Sequence, residues 1–96
     1  MPVYNRILFY SHATQRQFER YVTKQDISQV LHNGEIIETH PSNDPFPKEL
    51  ILGWAGSRPL HVVILNDPKT QTTYVKTVYE PSLTLWELDY KTRRQS

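Results

Sequence analysis

A histidine and two arginines recur at four-residue intervals in Ser11-His12-Ala13-Thr14-Gln15-Arg16-Gln17-Phe18-Glu19-Arg20. The segment reads as helix, and at about 100° per residue Arg16 lies roughly 40° and Arg20 roughly 80° from His12. The three residues share one stripe. Phe18, Tyr21 and Val22 fall between roughly 180° and 280° on the same wheel, so the stripe is expected to face away from the buried side. Imidazole exchanges protons near neutral pH, and guanidinium brings a fixed charge with forked donors. Together they suit the binding and cleavage of a phosphodiester. On spacing alone, a solvated helix face is the commoner arrangement of such residues.

A second constellation lies in Thr73-Tyr74-Val75-Lys76-Thr77-Val78-Tyr79. Strand alternation predicts Thr77 and Tyr79 on one face with Val75, and Lys76 on the other with Tyr74 and Val78. A hydroxyl and a phenol two residues apart can hydrogen-bond a phosphate, and a tyrosine ring can stack on a base. Threonine and tyrosine are also ordinary strand residues. Of the other histidines, His32 and His40 read as surface residues and His61 as a hydrogen-bonded side chain of a central strand. No histidine has a helical metal-pair spacing, so a metal site is not expected. Phosphate-loop, dinucleotide and nucleophile-elbow patterns are absent. Glu35 and Glu38 are expected on opposite faces of a strand.

The elements that must position these groups are two helices followed by strands. Ile7–Tyr10 reads as a short strand or extended entry segment. Ser11 is the expected N-cap of a helix reaching Tyr21 or Val22. Thr23 and Asp26 form a capping box for a second helix, which buries Ile27, Val30 and Leu31. Asn33-Gly34 is read as its left-handed stop. Strands follow at Glu35–Thr39, Glu49–Trp54, Leu60–Leu65 and Thr73–Tyr79, with a proline-bearing loop over His40–Pro47. Leu83, Leu85, Trp86 and Leu88 are expected to fold back on the domain. The fold class is therefore α+β, with two N-terminal helices packed on a four-stranded, mainly antiparallel sheet.

With 96 residues the chain forms a single domain, 1–96, with a core over about 7–88 and a basic tail over 89–96. A formal net charge of +1 announces no nucleic-acid binder, so any electrostatic argument rests on local clusters. Cysteine is absent, which excludes a disulfide framework and a thiolate zinc site. The apolar run Ile7–Tyr10 is too short for a signal-peptide core, and no segment approaches a membrane span. A soluble, cytoplasmic protein is expected.

Ser11-His12-Ala13 with Arg16 and Arg20, Gly34-Glu35-Ile36-Ile37-Glu38, Leu52-Gly53, Arg58-Pro59-Leu60-His61-Val62-Val63, and Thr77-Val78-Tyr79-Glu80-Pro81 with Trp86 occur in this order. In order and spacing the chain, from about Ile7 to Arg94, resembles a small bacterial family known as domain-of-unknown-function family 4258. It departs from that family at Tyr21-Val22, where the family often has glycine-isoleucine, and at Ser82-Leu83, where it often has Asp-Pro. The resemblance implies a RelE-like fold within the barnase-EndoU-like ribonuclease group. It further implies the toxin role in a toxin–antitoxin pair, with a zinc-binding MqsA-like antitoxin as partner.

The reading that follows is a metal-independent endoribonuclease that cleaves mRNA by general acid/base chemistry and needs no cofactor. His12 would be the acid or base, Arg16 and Arg20 phosphate clamps, and Thr77 and Tyr79 phosphate or base contacts. Lys76, His61 and Arg58 would be substrate-binding helpers. RNA and the antitoxin are the expected partners, with no membrane and no direct DNA contact. The alternatives are a non-catalytic module that binds RNA, the ribosome or a protein partner through the same basic residues, and an interaction protein docking through the Trp86 segment.

Overall fold

The computed structural model describes residues 6–43 and 45–95. Both ends of the expected 1–96 domain, and position 44 of the proline-bearing loop, lie outside the described residues. Among the described residues seven elements follow one another: β1 (Arg6–Phe9), α1 (Ser11–Arg20), α2 (Lys24–Asn33), β2 (Glu35–His40), β3 (Lys48–Ala55), β4 (Arg58–Asp67) and β5 (Thr72–Tyr79). The strands form one sheet in the order β1-β5-β4-β3-β2. The class is α+β with two helices, but the sheet is five-stranded and mixed rather than four-stranded. The difference is β1, which pairs parallel with β5, Arg6 opposite Thr72 and Phe9 opposite Val75. A parallel partner is reached through a long crossover, here nearly the whole domain, so no local hairpin signal marks it.

α2 starts as its sequence dictates. The Thr23 hydroxyl accepts from the Asp26 N–H at 3.0 Å and the Asp26 carboxylate accepts from the Thr23 N–H at 2.9 Å. Ile27, Val30 and Leu31 are buried. Gly34 follows it in extended rather than left-handed backbone (φ −87°). Its role is close approach: a Cβ there would stand 2.5 Å from the Leu52 carbonyl oxygen and closer still to that of Val30. α1 departs further from expectation. Its N-cap is Tyr10, without a side-chain bond, and Ser11 is already helical. The left-handed cap belongs to Tyr21 (φ 55°).

The buried residues of α1 are Ala13 and Gln17, whereas Phe18 and Tyr21 are 88% and 87% exposed. On the helical wheel the buried direction is therefore about 120° from His12, and Arg20 borders it. The basic stripe does not face away from the core. It forms the shoulder of the helix along the sheet.

One sheet face carries Ile51, Leu60, Val62, Ile64, Val75 and Val78, which pack with Ala13, Val22, Ile27, Val30 and Leu31 of the helical layer. Strand alternation sends Leu50, Leu52, His61, Val63 and Leu65 to the opposite face. Two bulges interrupt the alternation. In β2, Ile36 pairs with Ile51 and Glu38 with Leu50, leaving Ile37 extra. Glu35, opposite Leu52, and Glu38 thus share a face, contrary to the regular-strand expectation. In β5, Val75 pairs with Ile64 and Thr77 with Val63, leaving Lys76 extra. Val75 and Val78 therefore both enter the core, and Thr77 and Tyr79 face the other way without Val75.

Residues 81–95 return across this second face. Trp86 is buried, while Leu83, Leu85 and Leu88 remain exposed. The segment expected as a basic tail is held in place. Lys91 meets Glu35 at 2.8 Å, Arg93 forks onto Glu38 at 2.8 and 2.9 Å, and Arg94 meets Glu87 at 3.0 Å. Among the described residues no helix is long and apolar enough to cross a membrane.

Candidate functional site: a basic cleft beside the bulged strand

β1 ends at Phe9, and the Tyr10 N–H closes its pairing on the Val75 carbonyl at 3.0 Å. Beyond that point the outer edge of β5 runs beside α1 instead of a strand. Arg20 fills part of the missing ladder by donating from Nη1 to the Val78 carbonyl at 2.8 Å. Between helix and sheet opens a cleft of about 630 Å³ lined by His12, Arg16, Arg20, Lys48, Val63, Lys76, Thr77 and Tyr79. The structure thus brings together His12, Arg16, Arg20, Lys76, Thr77 and Tyr79 from two elements. The bulge matters here, because it lets Lys76 join Thr77 and Tyr79 on one wall.

Each cation is held differently. Arg16 donates from Nη1 to the Glu19 carboxylate at 2.8 Å, and this bond keeps that carboxyl below its usual range. The Lys76 ammonium stands 5.3 Å above the Tyr10 ring centre, a cation–π distance. Lys48, at the start of β3, comes from the far side of the cleft and is the residue that sequence reasoning missed. Its position follows only from register, since it pairs with Leu65 and thus shares the face of Val63. Among the described residues no three His, Asp or Glu side chains gather as a metal site.

Two sequence-nominated residues lie outside the cleft lining. His61 is fully buried (0% exposed). Its ring bridges the Tyr79 hydroxyl, 3.1 Å from Nδ1, and the Tyr90 carbonyl, 2.6 Å from Nε2, and it packs edge-on against Trp86. Only one tautomer satisfies both bonds: Nε2–H donates to Tyr90 and Nδ1 accepts from Tyr79. Burial lowers the His61 pKa and raises that of Tyr79, so the ring stays neutral and the phenol keeps its proton. Arg58 reaches the carbonyls of Arg20 and Tyr21 and the Glu80 carboxylate. It tethers the end of α1 to the end of β5, the usual service of a cation at a helix C-terminus.

Past Tyr79 the cleft continues into a smaller hollow of about 150 Å³ with Leu50 and Val63 in its lining. Glu38, His40 and Arg93 also line it, and Lys48, Val63 and Tyr79 belong to both chambers. The Arg93 fork holds the Glu38 carboxyl down to about 2, despite partial burial, and His40 adds a bond at 2.8 Å. On the other side of α1, a hollow of about 470 Å³ walled by Phe18, Tyr21 and Val22 shares no residue with the basic cleft.

The model of the family described as domain of unknown function (DUF4258) matches residues 9–80. The chain belongs to this family. All the residues of the basic cleft fall within the DUF4258 span, and Arg93 falls beyond it. No curated protein and no solved structure matches the chain. What the arrangement offers chemically is one imidazole and four cationic side chains converging from α1, β3 and β5, beside a hydroxyl and a phenol. Such a set of groups can pair with and hydrogen-bond an anion such as a phosphate.

Proposed function

We propose that this DUF4258 domain is a metal-independent endoribonuclease that cleaves mRNA. In this reading it is the RelE-like toxin component of a cytoplasmic toxin–antitoxin pair. The observation that carries the catalytic part is the convergence of His12, Arg16, Arg20, Lys48 and Lys76 on one cleft. The toxin role, the RelE-like grouping and a zinc-binding MqsA-like antitoxin rest on the family resemblance. The chemistry is attack of the ribose 2′-oxygen on the adjacent phosphorus. A base removes the 2′-OH proton, the P–O5′ bond breaks, and the 5′-oxygen takes up a proton. Among the described residues His12 is the single imidazole lining the cleft, and it takes the acid or base part. Arg16, Arg20, Lys48 and Lys76 offset the charge that builds on the phosphorane-like transition state. Thr77 supplies a hydroxyl donor to a non-bridging oxygen.

Purified protein with single-stranded RNA and a chelator is expected to yield 2′,3′-cyclic phosphate and 5′-hydroxyl ends. The His12→Ala variant should still bind RNA but lose turnover. Cleavage abolished by the chelator overturns the metal-independent mechanism, and unchanged cleavage by folded His12→Ala overturns the role of His12. A non-catalytic RNA-binding module is the second reading. It is favoured by the engagement of Arg16 with Glu19 and of Arg20 with Val78, and it predicts salt-sensitive RNA binding with no product at all.

A further inference from the structure

The bulge at Lys76 sets a long, flexible cation into the cleft wall at a position with no register partner. Val75 pairs with Ile64 and Thr77 with Val63, so no residue of β4 stands opposite position 76. Four methylenes carry the ammonium, and such a side chain has much rotamer freedom to lose when it settles on an anion. The two arginines of the cleft have anchors of their own, Arg16 on the Glu19 carboxylate and Arg20 on the Val78 carbonyl.

Tyr10 supplies an anchor for Lys76. It does not line the cleft, but its ring centre lies 5.3 Å from the Lys76 ammonium. The ring is launched from a fixed backbone. The Tyr10 N–H donates to the Val75 carbonyl at 3.0 Å, beside the bulge, and its carbonyl accepts from the Thr14 N–H at 3.1 Å. The Tyr74 ring meets it edge-on, with the two centres 6.2 Å apart. This kind of anchor suits a cation with a second task. Glu19 brings a negative charge to Arg16 and so offsets part of what Arg16 presents to an anion. An aromatic face attracts an ammonium through its quadrupole and carries no net charge. Tyr10 therefore orients Lys76 without subtracting from its charge.

We infer that Tyr10 is a positioning residue for phosphate binding, its ring holding the Lys76 ammonium at the cleft where the anion is received. The inference rests on the phosphate-cleft reading and adds to it a residue from outside the lining. The ring does the work and the hydroxyl does not, so phenylalanine at position 10 should serve equally well.

The test is a double-mutant cycle on the whole protein with a labelled 2′-O-methyl single-stranded RNA, read by fluorescence anisotropy. The probe has no 2′-OH to attack with, so it reports binding alone. Tyr10→Leu is expected to weaken binding about two- to fivefold, the worth of one cation–π contact near the surface. Tyr10→Phe should bind as wild type does. In the Lys76→Met background, Tyr10→Leu should change the affinity no further. A general structural role of Tyr10 would weaken binding by the same factor in both backgrounds, and that result overturns the inference. So does Tyr10→Phe binding as weakly as Tyr10→Leu, or Tyr10→Leu binding as tightly as wild type. A wild type that does not bind the probe, or an affinity indifferent both to Lys76→Met and to Arg16→Ala with Arg20→Ala, overturns the phosphate cleft itself.

Discussion

Glu38→Gln is the sharpest single perturbation of the second sheet face, because Glu38 joins β2 to the returning C-terminal segment. Its carboxyl is held at about 2 against an ordinary 4.5. Taken at face value that difference corresponds to about 3 kcal/mol at neutral pH. Arg93 is 60% exposed on its side chain, and solvent screens the pair, so about 1–2 kcal/mol is the working expectation. The sign follows from the direction. A carboxyl depressed in the folded state contributes fully above its unfolded value of 4.5, and the contribution disappears as pH falls through about 2. Urea unfolding of wild type and Glu38→Gln, followed by tryptophan fluorescence, should show the full gap at pH 7. The gap should narrow steadily below pH 4.5 and shrink further in high salt. A gap that stays constant from pH 7 down to pH 2.5 refutes an ionic role and leaves only shape at this position.

Gly34→Ala should destabilise by about 3 kcal/mol in urea unfolding, because the new Cβ meets two backbone oxygens that cannot turn aside. Tyr21→Gly should raise the thermal midpoint by the equivalent of about 0.5–1 kcal/mol. It relieves left-handed backbone at a residue that buries little. His61→Leu should cost about 2–3 kcal/mol, since it strands the Tyr79 hydroxyl and the Tyr90 carbonyl. The lowered His61 pKa also makes wild-type stability fall as pH drops below 6.5, a slope that His61→Leu should lack in the same pH series.

How far the sequence reaches is clearest where rule and residue coincide locally. Thr23 and Asp26 lie three residues apart, and the box they form is the one their spacing predicts. The i, i+3, i+4 pattern of Ile27, Val30 and Leu31 identifies the buried face of α2 correctly. α1 misleads because its largest apolar residues, Phe18 and Tyr21, are not its core. Small Ala13 and polar Gln17 are, since the helix approaches the sheet closely there. The strand faces fail at Ile37 and Lys76 for one shared reason. A bulge resets a period of two, and neither the Ile36-Ile37 pair nor the lysine between Val75 and Thr77 announces it. Lys48 follows a proline-rich loop and has no local pattern at all. Only the pairing of β3 with β4 delivers it to the cleft.

The site owes its existence to what β1 does not do. Had that strand continued past Phe9, it would have taken the outer carbonyls of β5 into its ladder. Instead the chain turns into α1 immediately, and the helix lies along the vacated edge. An edge carbonyl left without a partner there would be costly, and Arg20 satisfies Val78 with a single N–H. Guanidinium has five donors in a planar fork. Arg20 spends one N–H on the backbone and also lines the cleft, so the group that completes the fold is the same one that is proposed as a phosphate clamp. Lysine at position 20 could supply the charge or reach the carbonyl, but its single ammonium has no planar fork to divide between the two. The arginine at the end of the stripe, the bulge at Lys76 and the early end of β1 are therefore one structural solution.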